Sequence, residues 1–331
     1  MIITRTPFRV SFFGGGTDYP PWYMENGGAV LSTAINRYCY ITCRRFPPFF
    51  PNSFRIVWSH IEPVSTVSEI LHPAVRAGLR MEGWGDDEGV EIHHQGDLPA
   101  RSGMGSSSAF ANGLILALRA LRGQQVDKHQ LYHAAIDLEQ NHIKENVGSQ
   151  DQVATAMGGL NVIHFKPGGE IVVEPLKLSP KRRAMLKERL MLFYSGASRS
   201  ASAIAKTFVD TLVDRGAMLR RMHEMVFEAR DVLERGELDR FGEMLDETWQ
   251  MKRQLSSMIS NDHIDSVYEA ARRAGAIGGK LLGAGGAGFI LVYADPKHHA
   301  RIREALGRLI YVPFNYDDDG ATLLLNQPSV L

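Results

Sequence analysis

The stretch PARSGMGSSSA, residues 99–109, lies between a strand-like run and an apolar helical one, and its reading decides the fold. Gly103 and Gly105 let the backbone turn tightly, and Ser106, Ser107 and Ser108 then open the helix. The amides of a helix N-terminus, together with the macrodipole, favour an anion, and glycines remove side chains that would hold a phosphate away. The serine hydroxyls add ligands for phosphate oxygens or a magnesium ion. A serine-capped helix after a loop is the plainer alternative. A Walker A loop is excluded, because no Lys-Ser or Lys-Thr pair follows the last glycine. The spacing of Gly103, Gly105 and Ala109 also resembles an NADP-type dinucleotide fingerprint. That fingerprint requires an acidic residue at the end of the next strand, whereas Asp127 sits in a polar helix–helix connection.

Two further glycine clusters share the chain. RVSFFGGGTDYP, residues 9–20, runs an apolar strand into Gly14, Gly15 and Gly16, then into Thr17 and Asp18. Three glycines in a row lose much backbone entropy on folding, so bare backbone is needed there, for another strand or for a ligand. Asp18 either holds a turn or grips a polar ligand. GGKLLGAGGAG, residues 278–288, has six glycines and reads as a loop between helix and strand, with Lys280 its only charge. An ordinary connection uses one or two glycines, so a close approach to a ligand or to another loop is expected.

The chain has 331 residues, enough for about two domains. Hydrophobic content of 44%, charged content of 22% and zero formal net charge are those of a globular protein without a polyanionic partner. Cys39 and Cys43 alternate with apolar residues in a strand and read as reduced core thiols. The first residues read as a strand rather than a signal peptide, and no apolar run approaches membrane-spanning length. A cytoplasmic protein with no nucleic-acid or membrane partner is expected.

Alternation predicts strands over residues 1–13, 29–46, 53–61 and 89–94. Helices follow at 106–121, 129–144 and 150–157, then a strand at 159–165. Turn-rich KPGGE and polar SPKRR place a boundary between residues 165 and 185. Beyond it come a strand at 189–196, helical sequence over 200–258, a helix at 263–274, a strand at 288–295, and a final helix and strand.

Glu139 lies late in the 129–144 helix, and Asp151 twelve residues on, in the first turn of the next. Ser149 and Gln152 have capping-box spacing, and an Asp in a first turn complements the dipole. The same carboxylate is suited to phosphoryl transfer, where it orients a hydroxyl and accepts its proton late. Glu139 is a candidate magnesium ligand, since that ion takes one or two carboxylates and completes its shell with water and phosphate. Taken alone it is a solvated helix residue.

The ordered set RVSFFGGGTDY, PARSGMGSSSA, EQNHIKENVGSQDQ and GGKLLGAGGAGF resembles the GHMP kinases across nearly the whole chain. The resemblance implies an α+β, two-domain GHMP kinase fold. Residues 1–175 would form a domain like ribosomal protein S5 domain 2, and 176–331 a ferredoxin-like domain. ATP, Mg2+ and a small-molecule sugar phosphate would meet in the cleft, in a monomer or a homo-oligomer.

By the same resemblance, Arg101, Ser102, Gly103, Met104, Gly105, Ser106, Ser107 and Ser108 bind ATP, with Gly283, Gly285 and Gly286 packing against that loop. Ser107, or its neighbour Ser108, would bind magnesium with Glu139. Asp151 would take the proton from the substrate hydroxyl, with Arg9 paired to it. Gly15, Gly16, Thr17, Asp18 and Arg199 would face the sugar. Galactokinases carry Glu and His where Gly15 and Gly16 stand, so a larger, less polar pocket is implied and galactose is disfavoured. The GGGTDYP form is similar to the branch acting on D-glycero-D-manno-heptose 7-phosphate at its anomeric hydroxyl, and the L-fucokinase branch is also close. A non-catalytic sugar sensor on this fold would be expected to lack Glu139, Asp151 or the serine loop, and all are present. A sugar phosphate needs cations, and Arg199, Arg37, Arg44, Arg45 and Lys166 are the candidates.

Overall fold

The computed structural model describes residues 1–196, 201–209 and 213–328. Its first unit is an eight-stranded mixed sheet built on two long neighbours, Ile2–Phe13 and Gly28–Arg45. Gly28–Arg45 serves two partners in turn. Its first third pairs with Leu160–Phe165 and its last third with Val90–Gly96. The 53–61 strand expected from alternation breaks at a turn, where the Trp58 amide reaches the His60 carbonyl, giving the hairpin Phe54–Val57 and Ile61–Val64. Phe54–Val57 also lies parallel to Val90–Gly96, with the helix Pro73–Met81 in the crossover.

The helix Ser106–Leu121 lies on both long strands. Its sequence, SSSAFANGLILALRAL, is apolar nearly all round, and from Ser108 to Leu121 only Arg119 is not buried. This fixes the serine-bearing end of the helix at the edge of the sheet, beside the glycine turn that ends Ile2–Phe13.

The second unit is a four-stranded antiparallel sheet in the order Ile310–Tyr311, Leu190–Tyr194, Phe289–Tyr293, Gly278–Leu281. The first and last strands in sequence are thus central and outer neighbours, which is the split βαβ arrangement of the ferredoxin-like expectation. Helices Gly216–Arg235 and Leu238–Arg253 pack back on the first sheet. Phe241 sets its ring edge-on to Phe12 and Phe13, at 5.4 and 5.1 Å between centroids, so the apolar core runs through both units.

Three differences from the sequence reading have local causes. The 165–185 region is ordered: Ile171–Pro175 pairs with Leu160–Phe165, and the helix Pro180–Arg189 starts on Ser179, whose hydroxyl accepts from the Arg182 amide. Gly278–Leu281, expected as loop, is the outer strand of the second sheet. The last strand, Thr322–Asn326, returns to pair with Ile2–Phe13, so residues in the 176–331 half complete the first sheet.

Candidate active site

The phosphate-loop candidate is held by backbone contact from both units. Gly103 has φ +83, and a Cβ there would stand 2.6 Å from the Leu282 carbonyl oxygen. Gly283, from the other unit, would place a Cβ 2.3 Å from the Gly103 Cα. Two loops nearly 180 residues apart therefore interlock where neither can carry a side chain. Gly288 packs the same way on Ser102, whose carbonyl accepts the Phe289 amide. Gly285 and Gly286 lean instead on Ile259, which accepts the Gly286 amide, so only Gly283 of the three expected glycines touches the loop. Ser102 and Met104 are buried. The Ser102 hydroxyl donates to the Pro99 carbonyl, and the Met104 carbonyl accepts the Arg9 amide, so both shape the loop from behind. Arg101, with φ +58, is exposed, and its amide donates to the Ser106 hydroxyl. No side chain caps the start of Ser106–Leu121, which leaves its first amides for a ligand in the cleft.

Arg9 and Asp151 meet across 142 residues of sequence. Arg9 Nε and Nη2 donate to the two carboxylate oxygens of Asp151 at 2.7 and 2.6 Å, while Nη1 donates to the Gly103 carbonyl at 2.7 Å. Arg9 is 3% exposed and Asp151 24%, so the pair is rigid on one side and open to the cleft on the other. Gly105 makes room for it: a Cβ would fall 3.2 Å from Arg9 Cγ and 3.5 Å from Asp151 Oδ2.

Glu139 is not the solvated helix residue its position suggested. The helix Lys128–Asp137 continues as a wide π-turn, Leu138–His142, which carries Glu139 inward until it is 2% exposed. Its Oε2 accepts from the Ser108 hydroxyl and from Gln152 Nε2, both at 2.6 Å. The expected capping box is therefore not formed: Gln152 is committed to Glu139, and the Ser149 hydroxyl meets Tyr23 and Gln140. Burial pushes the Glu139 carboxyl up to about 7, partly offset by the Ser108, Ser107 and Gln152 hydrogen bonds. A carboxyl held this way ionises when a cation arrives, and the exposed Ser107 hydroxyl stands beside it, a donor set that fits magnesium. Among the described residues no three His, Cys, Asp or Glu side chains cluster.

The glycine triplet divides by residue. Gly14 has φ +84, and a Cβ would lie 1.9 Å from the Ala29 carbonyl oxygen, so it serves the sheet. Gly15 lines the cleft, and a Cβ there would meet nothing nearer than Gln150 Nε2 at 3.9 Å. Gly16 also lines the cleft, with φ +105. Thr17 was expected to face the sugar, but it is fully buried. Its hydroxyl is occupied by the Gly14 and Ala29 carbonyls and the Ala29 amide, so it locks the turn. Asp18 is in the cleft wall, accepting from the Gly16 amide and from Gln150 Nε2. Burial raises its carboxyl to about 6, with the charge of Asp151 adding to the shift. Arg199 lies outside the described residues.

Other cleft residues were not foreseen. Gly148, read only as part of a break, would place a Cβ 1.9 Å from Asp18 Oδ2. Gln150 bridges Ser11 and Asp18. Lys252 and Lys280 both face the cleft. Of the five cations proposed from sequence for a distal phosphate, the four among the described residues are elsewhere: Arg44 pairs with Glu91, Arg45 with Glu88, Arg37 reaches the Pro313 carbonyl, and Lys166 is off the cleft. Lys280 was visible as a lone charge among glycines, whereas Lys252 sits in an ordinary amphipathic helix that gives no signal.

Comparison with known proteins places the chain in a family. The GHMP kinases N terminal domain matches residues 69–159 and the GHMP kinases C terminal matches 229–311. The chain is 26% identical over 316 residues to the D-glycero-alpha-D-manno-heptose 7-phosphate kinase of Campylobacter jejuni, covering 92% of this chain and 93% of that one. It is 28% identical to the bifunctional fucokinase/GDP-fucose pyrophosphorylase of Arabidopsis thaliana, over 89% of this chain but 30% of the relative. In fold it resembles the crystal structure of a D-glycero-D-manno-heptose 1-phosphate kinase from Bacteroides thetaiotaomicron, with a TM-score of 0.79 at 21% identity, covering 98% and 99% of the two chains.

Proposed function

We propose, from the premise that this chain belongs to the GHMP kinases and is a sugar kinase, that it phosphorylates the anomeric hydroxyl of D-glycero-D-manno-heptose 7-phosphate. The product is heptose 1,7-bisphosphate, a precursor of nucleotide-activated heptose for surface polysaccharide. The observation that carries this choice of acceptor is the open wall at Gly15, where the cleft has room that a larger side chain would fill. Likeness to a heptose 7-phosphate kinase along nearly the full length of both chains supports it.

The geometry supports the following roles. The uncapped amides and serines at the start of Ser106–Leu121 hold the ATP phosphates. Glu139 and Ser107 would hold magnesium, which neutralises charge on those phosphates. Asp151 orients the acceptor hydroxyl and takes its proton on a carboxylate oxygen. Arg9 fixes that carboxylate by two hydrogen bonds and ties it to the phosphate loop through Gly103, so donor and acceptor move as one body.

An L-fucokinase activity is the second reading, favoured by the likeness to 30% of the bifunctional plant protein, which is named as a fucokinase. ATP consumption measured with heptose 7-phosphate, unphosphorylated heptose, L-fucose and galactose separates the two. Phosphorus NMR of the product then shows whether a new anomeric phosphate has formed. Fastest turnover on heptose 7-phosphate is expected; faster turnover on L-fucose would replace the proposal.

A further inference from the structure

Two lysines in the cleft are unused by the chemistry above. Lys280, on the outer strand of the second sheet, is 3% exposed, and its Nζ donates to the Phe12 carbonyl at 2.8 Å. Lys252, near the end of the helix Leu238–Arg253, reaches the Leu281 carbonyl at 2.9 Å and the Gly283 carbonyl. An ammonium has three donors, so these protein contacts leave two hydrogens on Lys280 and one on Lys252, and both side chains line the cleft. Among the described residues, Arg9 is already satisfied by Asp151, and Asp18 is the carboxylate whose charge acts on both ammonium groups. Burial lowers both lysines, Lys280 to about 7, and each is lowered further by other cations, Lys252 by Lys280 and both by Arg9. A dianion placed between them would restore their charge and complete their hydrogen bonds.

The position indicates whose phosphate this is. The nucleotide phosphates are already served by the helix amides and serines. The lysines belong to the opposite unit: Lys252 is anchored on Gly283, which packs on the phosphate loop, whereas Lys280 is anchored on Phe12, two residues before the Gly14–Gly16 turn that forms the acceptor wall, so the pair reaches from the nucleotide loop to the acceptor side. We propose that Lys252 and Lys280 form the subsite for the phosphate that the acceptor itself carries. This rests on the sugar-phosphate reading given above, and it names the residues that would select a phosphorylated sugar over a plain one.

Calorimetric titration of the full chain tests it, using wild type, Lys252→Met, Lys280→Met and Lys280→Arg. The titrants are heptose 7-phosphate, unphosphorylated heptose and a non-hydrolysable ATP analogue. Wild type should prefer the phosphorylated sugar by about tenfold or more, as expected for charge-assisted hydrogen bonds, and each Met variant should lose that preference while holding the ATP analogue as before. Lys280→Arg should retain part of it. If Lys280→Met fails to fold, the half-buried Lys252→Met decides. Variants that keep the preference overturn the lysine subsite and leave the heptose phosphate acceptor standing. Variants that lose the ATP analogue instead assign the lysines to nucleotide phosphate and also overturn it. A wild type that ignores the sugar's phosphate removes the acceptor reading, and the subsite with it.

Discussion

Asp18→Asn should make the ligand-free protein more stable at neutral pH, by an amount that grows with pH. Asp18 is 1% exposed, and its carboxyl is raised from 3.8 to about 6, chiefly by burial. Well below pH 3.8 the group is protonated in both folded and unfolded chains and contributes nothing. Above 3.8 the unfolded chain ionises first, so the folded state is penalised, and the penalty is complete once pH exceeds the folded value. The shift of about 2 units corresponds to a penalty of about 3 kcal/mol at pH 8, of which about half is present at pH 5. Asparagine keeps an oxygen for the Gly16 amide but presents an amide to Gln150 Nε2, which costs about 1 kcal/mol at every pH. That cost cancels when the difference between the two proteins is compared across pH. Urea denaturation of both at pH 5 and pH 8 should show the advantage of the variant rising by about 1 kcal/mol. The variant should also lose affinity for the sugar, which would make Asp18 a residue retained at the expense of stability. A difference that is flat with pH, or an advantage that shrinks, would refute the reasoning.

Three further outcomes follow from the geometry. Gly15→Glu has room and needs no left-handed backbone, so the protein should fold, yet it adds a third carboxylate beside Asp18 and Asp151. Its affinity for the sugar should fall more than its affinity for ATP, as titration of each would show. Gly283→Ala should lower the melting temperature and raise KM for ATP, because its Cβ would stand 2.3 Å from Gly103 Cα. Gly123→Ala, with a similar φ and nothing within 4 Å, is the control that isolates backbone strain of about 1 kcal/mol. Glu139→Gln should raise the magnesium concentration for half-maximal rate by roughly tenfold or more, and an unchanged requirement would remove Glu139 as a ligand.

The glycine clusters were legible because each obeys a local rule. Gly103, Gly105 and Gly283 need positive φ and a bare Cα, and a serine-opened helix needs an anion. Their meeting came from the resemblance to a family, as did the pairing of Arg9 with Asp151, since no spacing rule joins residues 142 positions apart. The failures were tertiary. Glu139 points inward through a π-turn that its helical periodicity does not announce. Gln152 matched a capping box but was drawn to Glu139, and Thr17 matched a ligand corner but was consumed by the sheet behind it. Lys252 becomes a cleft residue only because its helix packs against the strand carrying Lys280.

The account turns on Asp151 as the group that receives the acceptor's proton, held by Arg9 against the phosphate loop. The direct test is turnover of Asp151→Asn with ATP, magnesium and heptose 7-phosphate, alongside its affinity for the ATP analogue. A fall of about a thousandfold in kcat with nucleotide affinity retained is the expected result. Turnover close to that of the wild type would contradict it.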